Sequence, residues 1–326
     1  MSGGKVTSAQ VAERAGVSRS AVSRVFTPGA SVSDATAAKV RKAATDLGYR
    51  PNALARSLLT GQSRMIGLVV SYLDNHFYPG VLETLSRRLQ ADGYHILMFM
   101  AGSDAGEVDE VVGEILDYQV DGLVLASAAL SSDLAARCRA TDVPVVLFNR
   151  RQGAEGEISV VSDNHSGGRL AAEHLIARGA WRIGHIAGWE GASTQREREA
   201  GFLGALRAAG LGLHAREIGN FDKTQAAEAV RRMFGDAAAR PDGLFVANDY
   251  MALIAMDVLR YELGLSVPGD VRVVGFDDVP AAAWPGYGLT TLRQDVDAMV
   301  EQTVAALSGT AVVAPLPVRL VVRGSS

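Results

Sequence analysis

Short uninterrupted apolar runs recur along the chain from Met65 onward, and a longer stretch with helical spacing follows most of them. The runs Met65–Val70, Tyr94–Met100, Gly122–Ala126, Val143–Phe148, Ser159–Ser162, Arg182–Ala187, Gly243–Ala247 and Val271–Phe276 are predicted strands. Pro79–Ala91, Ser166–Arg178, Gln195–Ala209, Thr224–Phe234 and Tyr250–Leu263 are predicted helices. Strands of continuous Val, Ile and Leu separated by helices imply parallel sheets covered on both faces. There are too many strands for one unit, so two α/β lobes are expected.

The first sixty residues follow another pattern. Thr7-Ser8-Ala9-Gln10 has capping-box spacing and opens a helix to about Ala15. Gly16 stops it, and Ser18 caps a second helix from about Arg19 to Phe26. Pro28-Gly29 ends the second helix; Ser33 opens a third, which Gly48 closes. Two helices this short around a glycine predict a helix-turn-helix. Val22, Val25 and Phe26 form its apolar side, which leaves Arg19, Ser20, Ser23 and Arg24 facing out. Arginine offers paired donors that match the guanine edge in the major groove. Serine is short enough for close approach and donates to phosphate. The alternative is a plain solvated face on a three-helix domain.

After Pro51, Asn52 can cap a very short helix carrying Leu54, Ala55, Leu58 and Leu59, followed by a Gly61-Gln62-Ser63 linker. Two turns are not stable alone in water, so this helix needs a partner helix or a DNA groove.

Charge supports the DNA reading. Nine Lys and Arg against three acids give residues 1–60 a net charge of +6, while the whole chain carries −4. A basic head on an acidic body points to a polyanionic partner for the head. The 326 residues are 48% hydrophobic, enough to build real cores. The single cysteine, Cys138, excludes an internal disulfide and fits a reducing compartment. No secretory leader and no apolar run of membrane-spanning length is apparent, so a cytoplasmic protein with no membrane partner is expected.

Polar residues collect where α/β folds bind ligands, at the carboxyl ends of strands. Asn149-Arg150, Asp163-Asn164, Asn248-Asp249 and Asp277-Asp278 each follow a predicted strand. With Phe77, Tyr78, Trp189, Phe221 and Trp284 they suit a hydroxyl-rich ligand, since carboxylates and amides bind hydroxyls and a ring covers an apolar sugar face. A helix-capping role fits Asp163 and Asp278 equally well. The chain has no phosphate-binding glycine loop, no nucleophile elbow and no metal-binding histidine pair, so neither catalysis nor a cofactor is expected.

The run TSAQVAERAGVSRSAVSRVF, the GYRPN stretch and the ARSL segment resemble the head of the LacI/GalR family of bacterial transcription regulators. VSDNHSGGRLAAEHLIARG, REREAGF, FVANDYMALIAM, VVGFDDVP and LTTLRQDV resemble that family's effector core, which is similar to periplasmic sugar-binding proteins. The resemblance spans nearly the whole chain. It implies base reading by Arg19, Ser20 and Arg24, and paired hinge helices in the minor groove with Leu58 as the wedge beside Ala55. It also implies effector contacts at Arg198, Asn248 and Asp277, with Asn149 and Phe221. The strand end GLVLAS departs from several sugar-responsive members by offering Ala126 and Ser127 in place of a larger polar residue.

The expected architecture is an all-α helix-turn-helix head on a two-lobed α/β effector domain with parallel sheets. The head covers residues 1–50 and the hinge helix and linker 51–63. The effector and dimerisation domain covers 64–326, with an N-lobe of about 64–162 and 292–326 and a C-lobe of about 163–291. The expected function is a homodimeric DNA-binding regulator, a repressor whose grip on a double-stranded operator is switched by a sugar-like effector. The alternative is a sugar-transport binding protein with no DNA function.

Overall fold

The computed structural model describes residues 6–27, 29–50, 62–102, 105–126, 138, 142–154, 156–310 and 314–326. The chain divides into two compact units, Met1–Arg64 and Met65–Ser326. The hinge segment carrying Asn52, Ala55 and Leu58, and also Ser127, lies outside the described residues.

The first unit contains α1 (Ser8–Ala15), α2 (Arg19–Val25) and α3 (Asp34–Leu47). The capping box forms: Gln10 Oε1 accepts from Thr7 N at 2.8 Å, and the Thr7 hydroxyl accepts from Gln10 N. Gly16 takes the left-handed conformation (φ 65°) that turns α1 sharply into α2. Ser18 Oγ accepts from Ala21 N at 3.2 Å and caps α2. Val11, Ala12, Val22, Val40, Ala43 and Ala44 form the core, with Val25, Phe26 and Tyr49 packed against it.

The second unit has two sheets. Strands β1 (Met65–Val70), β2 (His95–Met100), β3 (Gly122–Ala126), β4 (Val145–Phe148) and β5 (Ile158–Val160) form an all-parallel sheet in the order β2-β1-β3-β4-β5. Helices α4 (Phe77–Ala91) and α5 (Ala105–Asp117) pack on this N-lobe sheet. Cys138 is helical and buried against Val112, Ile115 and their neighbours.

The C-lobe sheet contains β6 (Ile183–Ala187), β7 (Ala215–Ile218), β8 (Gly243–Val246), β9 (Arg272–Asp277), β10 (Thr290–Arg293) and β11 (Arg319–Val321). Its order is β11-β10-β9-β8-β6-β7, parallel except for β11. Helices α6 (Asn164–Ala177) and α7 (Ser193–Ala208) cover one face, and α8 (Lys223–Phe234) and α9 (Asp249–Asp257) the other. Among the described residues no helix is long and apolar enough to cross a membrane.

The lobe boundary expected near 292 is corrected by the strand pairing. β10 and β11 both belong to the C-lobe sheet, where β10 pairs with β9. Among the described elements after β9, α10 (Val296–Leu307) is the one that belongs to the N-lobe, packing on α4, β3, β4 and β5. The chain therefore crosses between lobes after β5, after β10 and before β11. These crossings are stitched together: Ser162 Oγ donates to Gln294 Oε1 at 2.7 Å, and Asp163 N to the Leu316 carbonyl at 2.7 Å.

Candidate effector cleft and DNA-facing helix

In the first unit Ser18, Arg19, Ser20, Ser23 and Arg24 are all exposed while Val22 is buried beneath them. Packing of one side of α2 fixes the polar side outward, as its apolar spacing predicts. Ser18 lies within 2.9 Å of the Ser20 hydroxyl, and Arg24 Nε donates to the Ser20 carbonyl at 3.4 Å. No acid stands in the first turn of α2, although Arg19 does.

In the second unit the carboxyl ends of the strands converge between the lobes. Asn149 follows β4, Asp277 ends β9, and Phe221 lies beyond β7. All three have positive φ, at 59°, 131° and 58°, and Asp278 has 60°. Non-glycine residues held there cost about 1–3 kcal/mol each, and such strain collects at ligand sites.

Arg198 lies buried on α7. Its Nε donates to Asn164 Oδ1 at 2.9 Å and its Nη1 to the Ala247 carbonyl at 2.6 Å, over the Phe276 ring at 3.5 Å. Its Nη2 stands 3.8 Å from Asp277 Oδ1, which Gln294 Nε2 also approaches, at 2.8 Å. From the N-lobe, Tyr78 on α4 accepts from Asn149 Nδ2 at 3.3 Å. Two buried acceptors, Asn149 Oδ1 and Asp277 Oδ2, have no hydrogen-bond partner among the described residues.

Burial pushes the Asp277 carboxyl up to about 6 against the pull of Arg198. Asp249 is driven higher, to about 7, first by burial and then by the charge of Asp277. It accepts from Thr291 Oγ1 at 2.5 Å and Val279 N at 3.0 Å, so it braces the loop after Asp277 from below. Asp278 pairs instead with Arg293 and Arg323. Burial lowers the Arg198 pKa from its usual value despite Asp277.

Of the residues picked from sequence, Tyr78, Asn149, Arg198 and Asp277 form one group. Phe221 faces Arg150, whose guanidinium carbon lies 5.9 Å from its ring centre. The Asn248 side chain caps α9, its Oδ1 accepting from Met251 N at 3.1 Å. Phe77 is a buried core residue edge-on to Tyr78, and with Asp277 and Gln294 it borders a cavity of about 380 Å³. Asp163 caps α6, its Oδ1 accepting from Ser166 N, which is the capping alternative to a ligand contact. Gln294 was missed as a site residue, because it follows a strand whose threonines give no apolar run. Among the described residues no His, Cys, Asp and Glu cluster could hold a metal ion.

Residues 9–52 match the model of bacterial regulatory proteins of the lacI family, and residues 172–326 match that of the periplasmic binding protein-like domain. The chain is 31% identical over 287 residues to the HTH-type transcriptional repressor PurR of Aliivibrio salmonicida, covering 87% of this chain and 86% of the relative. It is 32% identical to the ribose operon repressor of Escherichia coli K12, covering 92% of each. Among solved structures, a lac repressor dimer bound to operator and the anti-inducer ONPF is 31% identical at a TM-score of 0.87, with 99% of each chain covered. A complex of the regulator CelR with cellobiose is 31% identical at a TM-score of 0.72. This identity, sustained through both the head and the effector core, means that the chain belongs to the LacI/GalR family of bacterial transcription regulators and is not an enzyme.

Proposed function

We propose that the protein is a cytoplasmic, homodimeric repressor that binds a roughly palindromic operator and responds to a sugar or sugar derivative held between its lobes. The DNA part rests on the exposed Arg19, Ser20, Ser23 and Arg24 side of α2. Two such heads read two half-sites, as the symmetry of a dimer requires. Asn52, Ala55 and Leu58 serve the hinge, with Leu58 as a minor-groove wedge whose unstacking cost is offset by contacts to the bent duplex.

One observation carries the sugar reading: Asn149 Oδ1 and Asp277 Oδ2 are buried acceptors without partners. An unpaired buried acceptor costs about 1–3 kcal/mol, which a ligand hydroxyl would recover. Tyr78 supplies apolar surface beside Asn149, and Phe221 and Trp189 flank the neighbouring Arg150. Relatives include a ribose operon repressor and a regulator solved with cellobiose. The ligand acts by favouring one angle between the lobes, and it shifts DNA affinity only by its preference for that angle.

Two measurements test this. Thermal-shift screening against sugars and sugar acids should find a stabilising ligand, since one at 100 times its dissociation constant adds about 2.7 kcal/mol. Selection from random duplexes should return a palindrome whose binding that ligand changes. A protein that binds a sugar and prefers no duplex would be a ligand-binding protein of the transport type instead.

A further inference from the structure

The lobes also meet through two consecutive arginines. Just after β4, Arg150 Nη1 of the N-lobe donates to Thr194 Oγ1 of the C-lobe at 3.3 Å. The next backbone amide, Arg151 N, donates to Ser193 Oγ at 2.9 Å. The Arg150 guanidinium carbon stands 5.8 Å from the Trp189 ring centre and 5.9 Å from that of Phe221. One N-lobe side chain thus meets two aromatic rings and a hydroxyl of the other lobe.

The C-lobe side of this contact is held by its own bonds. Ser193 and Thr194 open α7 and are buried. The loop that carries Trp189 is pinned at four points. Gly188 N donates to Gln195 Oε1 at 2.7 Å. Arg196 Nη1 donates to the carbonyls of Glu190 and Gly191, and Arg216 Nη2 to Glu190 Oε1. Behind it, the buried His185 hydrogen-bonds Gln195 Nε2 and the Phe245 carbonyl. Phe221 is seated where Gly188 has no side chain, since a Cβ there would come within 2.1 Å of the ring. The loop that carries Trp189 and the seat of Phe221 are therefore set by contacts within the C-lobe.

We propose that Arg150 and Arg151 are positioning residues that clasp this socket, hold the lobes together and set how readily the cleft closes. A guanidinium between aromatic faces is attracted most strongly where water is displaced, and Arg150 is buried. The clasp favours the closed arrangement before any ligand arrives. Apparent effector affinity scales with the fraction of molecules in the competent state, so the clasp raises it. That last consequence rests on the effector-cleft reading; the clasp itself does not.

The test uses the full chain with no effector added. The chain has three tryptophans, and replacing the exposed Trp181 and Trp284 with Phe leaves Trp189 as the sole reporter. In that background the pair Ser193→Ala and Thr194→Val should raise acrylamide quenching of Trp189 about twofold or more and enlarge the radius of gyration by small-angle scattering. Thr194→Ser, which keeps the acceptor, should leave both unchanged. Arg150→Met, which keeps an apolar stem but no guanidinium, should open the cleft as the pair does, and it decides the matter if the pair fails to fold. Folded variants with the quenching and radius of the parent would overturn the clasp. A sugar panel that finds no ligand would overturn the effector reading and leave this result standing.

Discussion

Arg198 and Asp277 face each other across 3.8 Å with both side chains buried, and neither spends its strongest hydrogen bond on the other. Arg198 is anchored by Asn164 and Ala247, and Asp277 Oδ1 by Gln294. The pair balances charge while Asp277 Oδ2 has no hydrogen-bond partner among the described residues. Asp277→Asn should weaken effector binding by about 1.5–3 kcal/mol, the worth of a hydrogen bond to a charged group. It should also lower the melting temperature of the effector unit, because a buried arginine loses its counter-charge. Operator binding without effector should persist. Calorimetric titration beside an operator-binding assay checks this, and an unchanged effector affinity would clear Asp277 of the role.

Effector affinity should rise with pH through about 6, the value to which burial pushes Asp277. Ligand hydroxyls donate to the ionised carboxylate, so affinity should fall by up to about tenfold per unit below that point. Stability should move the other way on account of Asp277 and Asp249. Their folded pKa values lie above the ordinary 3.8, at about 6 and about 7, so their contribution is full below 3.8 and is lost as pH rises through those values. His185 opposes them. Burial lowers it from 6.5 to about 4, so its unfolded form binds the proton first and stability falls as pH drops through that window. Titrations at several pH values, with Asp277→Asn as the flat control, separate binding from folding. A pH-independent affinity in the parent would exclude an ionising Asp277 from the contact.

The helix-turn-helix was legible because every cap and turn is local chemistry: Thr7, Gly16, Ser18 and Ser33 do in the structure what their types favour. Strands β1 to β6, β8 and β9 were legible as apolar runs. Strands β7, β10 and β11 were not. AREI puts charge on an edge strand, and in TTLR the threonines are buried through hydrogen bonds to Arg323, Ser325 and Asp249 rather than through apolar side chains. Missing β10 and β11 misplaced the lobe boundary, since periodicity does not say which sheet a strand joins. The candidate site was legible where polar residues follow apolar strands, as at Asn149 and Asp277. It was not legible at Gln294, whose partners lie 132 and 17 residues away.

Helix α7 carries Arg198, and its position depends on a glycine contact. A Cβ on Gly168 would sit 1.9 Å from the Arg198 carbonyl oxygen, and one on Gly201 1.9 Å from that of His165. Both obstacles are backbone, so the helices must separate. Gly168→Ala should destabilise the effector unit by about 1–3 kcal/mol or more and weaken effector binding by shifting Arg198. Gly204→Ala, on α7 with nothing within 4 Å of its Cβ, should instead stabilise by about 0.5–1 kcal/mol through helix propensity. Thermal melts of the two variants carry opposite signs, and a destabilised Gly204→Ala would show that more than the close approach of α6 and α7 governs the placement of Arg198.

Arg19 stands in the first turn of α2, where the helix dipole disfavours a cation, and that turn holds no acid to offset it. Its side chain is exposed, so packing does not explain it either. A residue that costs stability where it stands points to a use outside the fold. Arg19→Ala should raise the stability of the helix-turn-helix unit by about 0.3–1 kcal/mol while flattening base preference at one position of each half-site by about 1–3 kcal/mol. Denaturation followed at the head, set beside random-duplex selection, reads the two effects separately. If the variant instead loses affinity equally for all sequences and its salt slope drops by about one, Arg19 grips phosphate rather than a base.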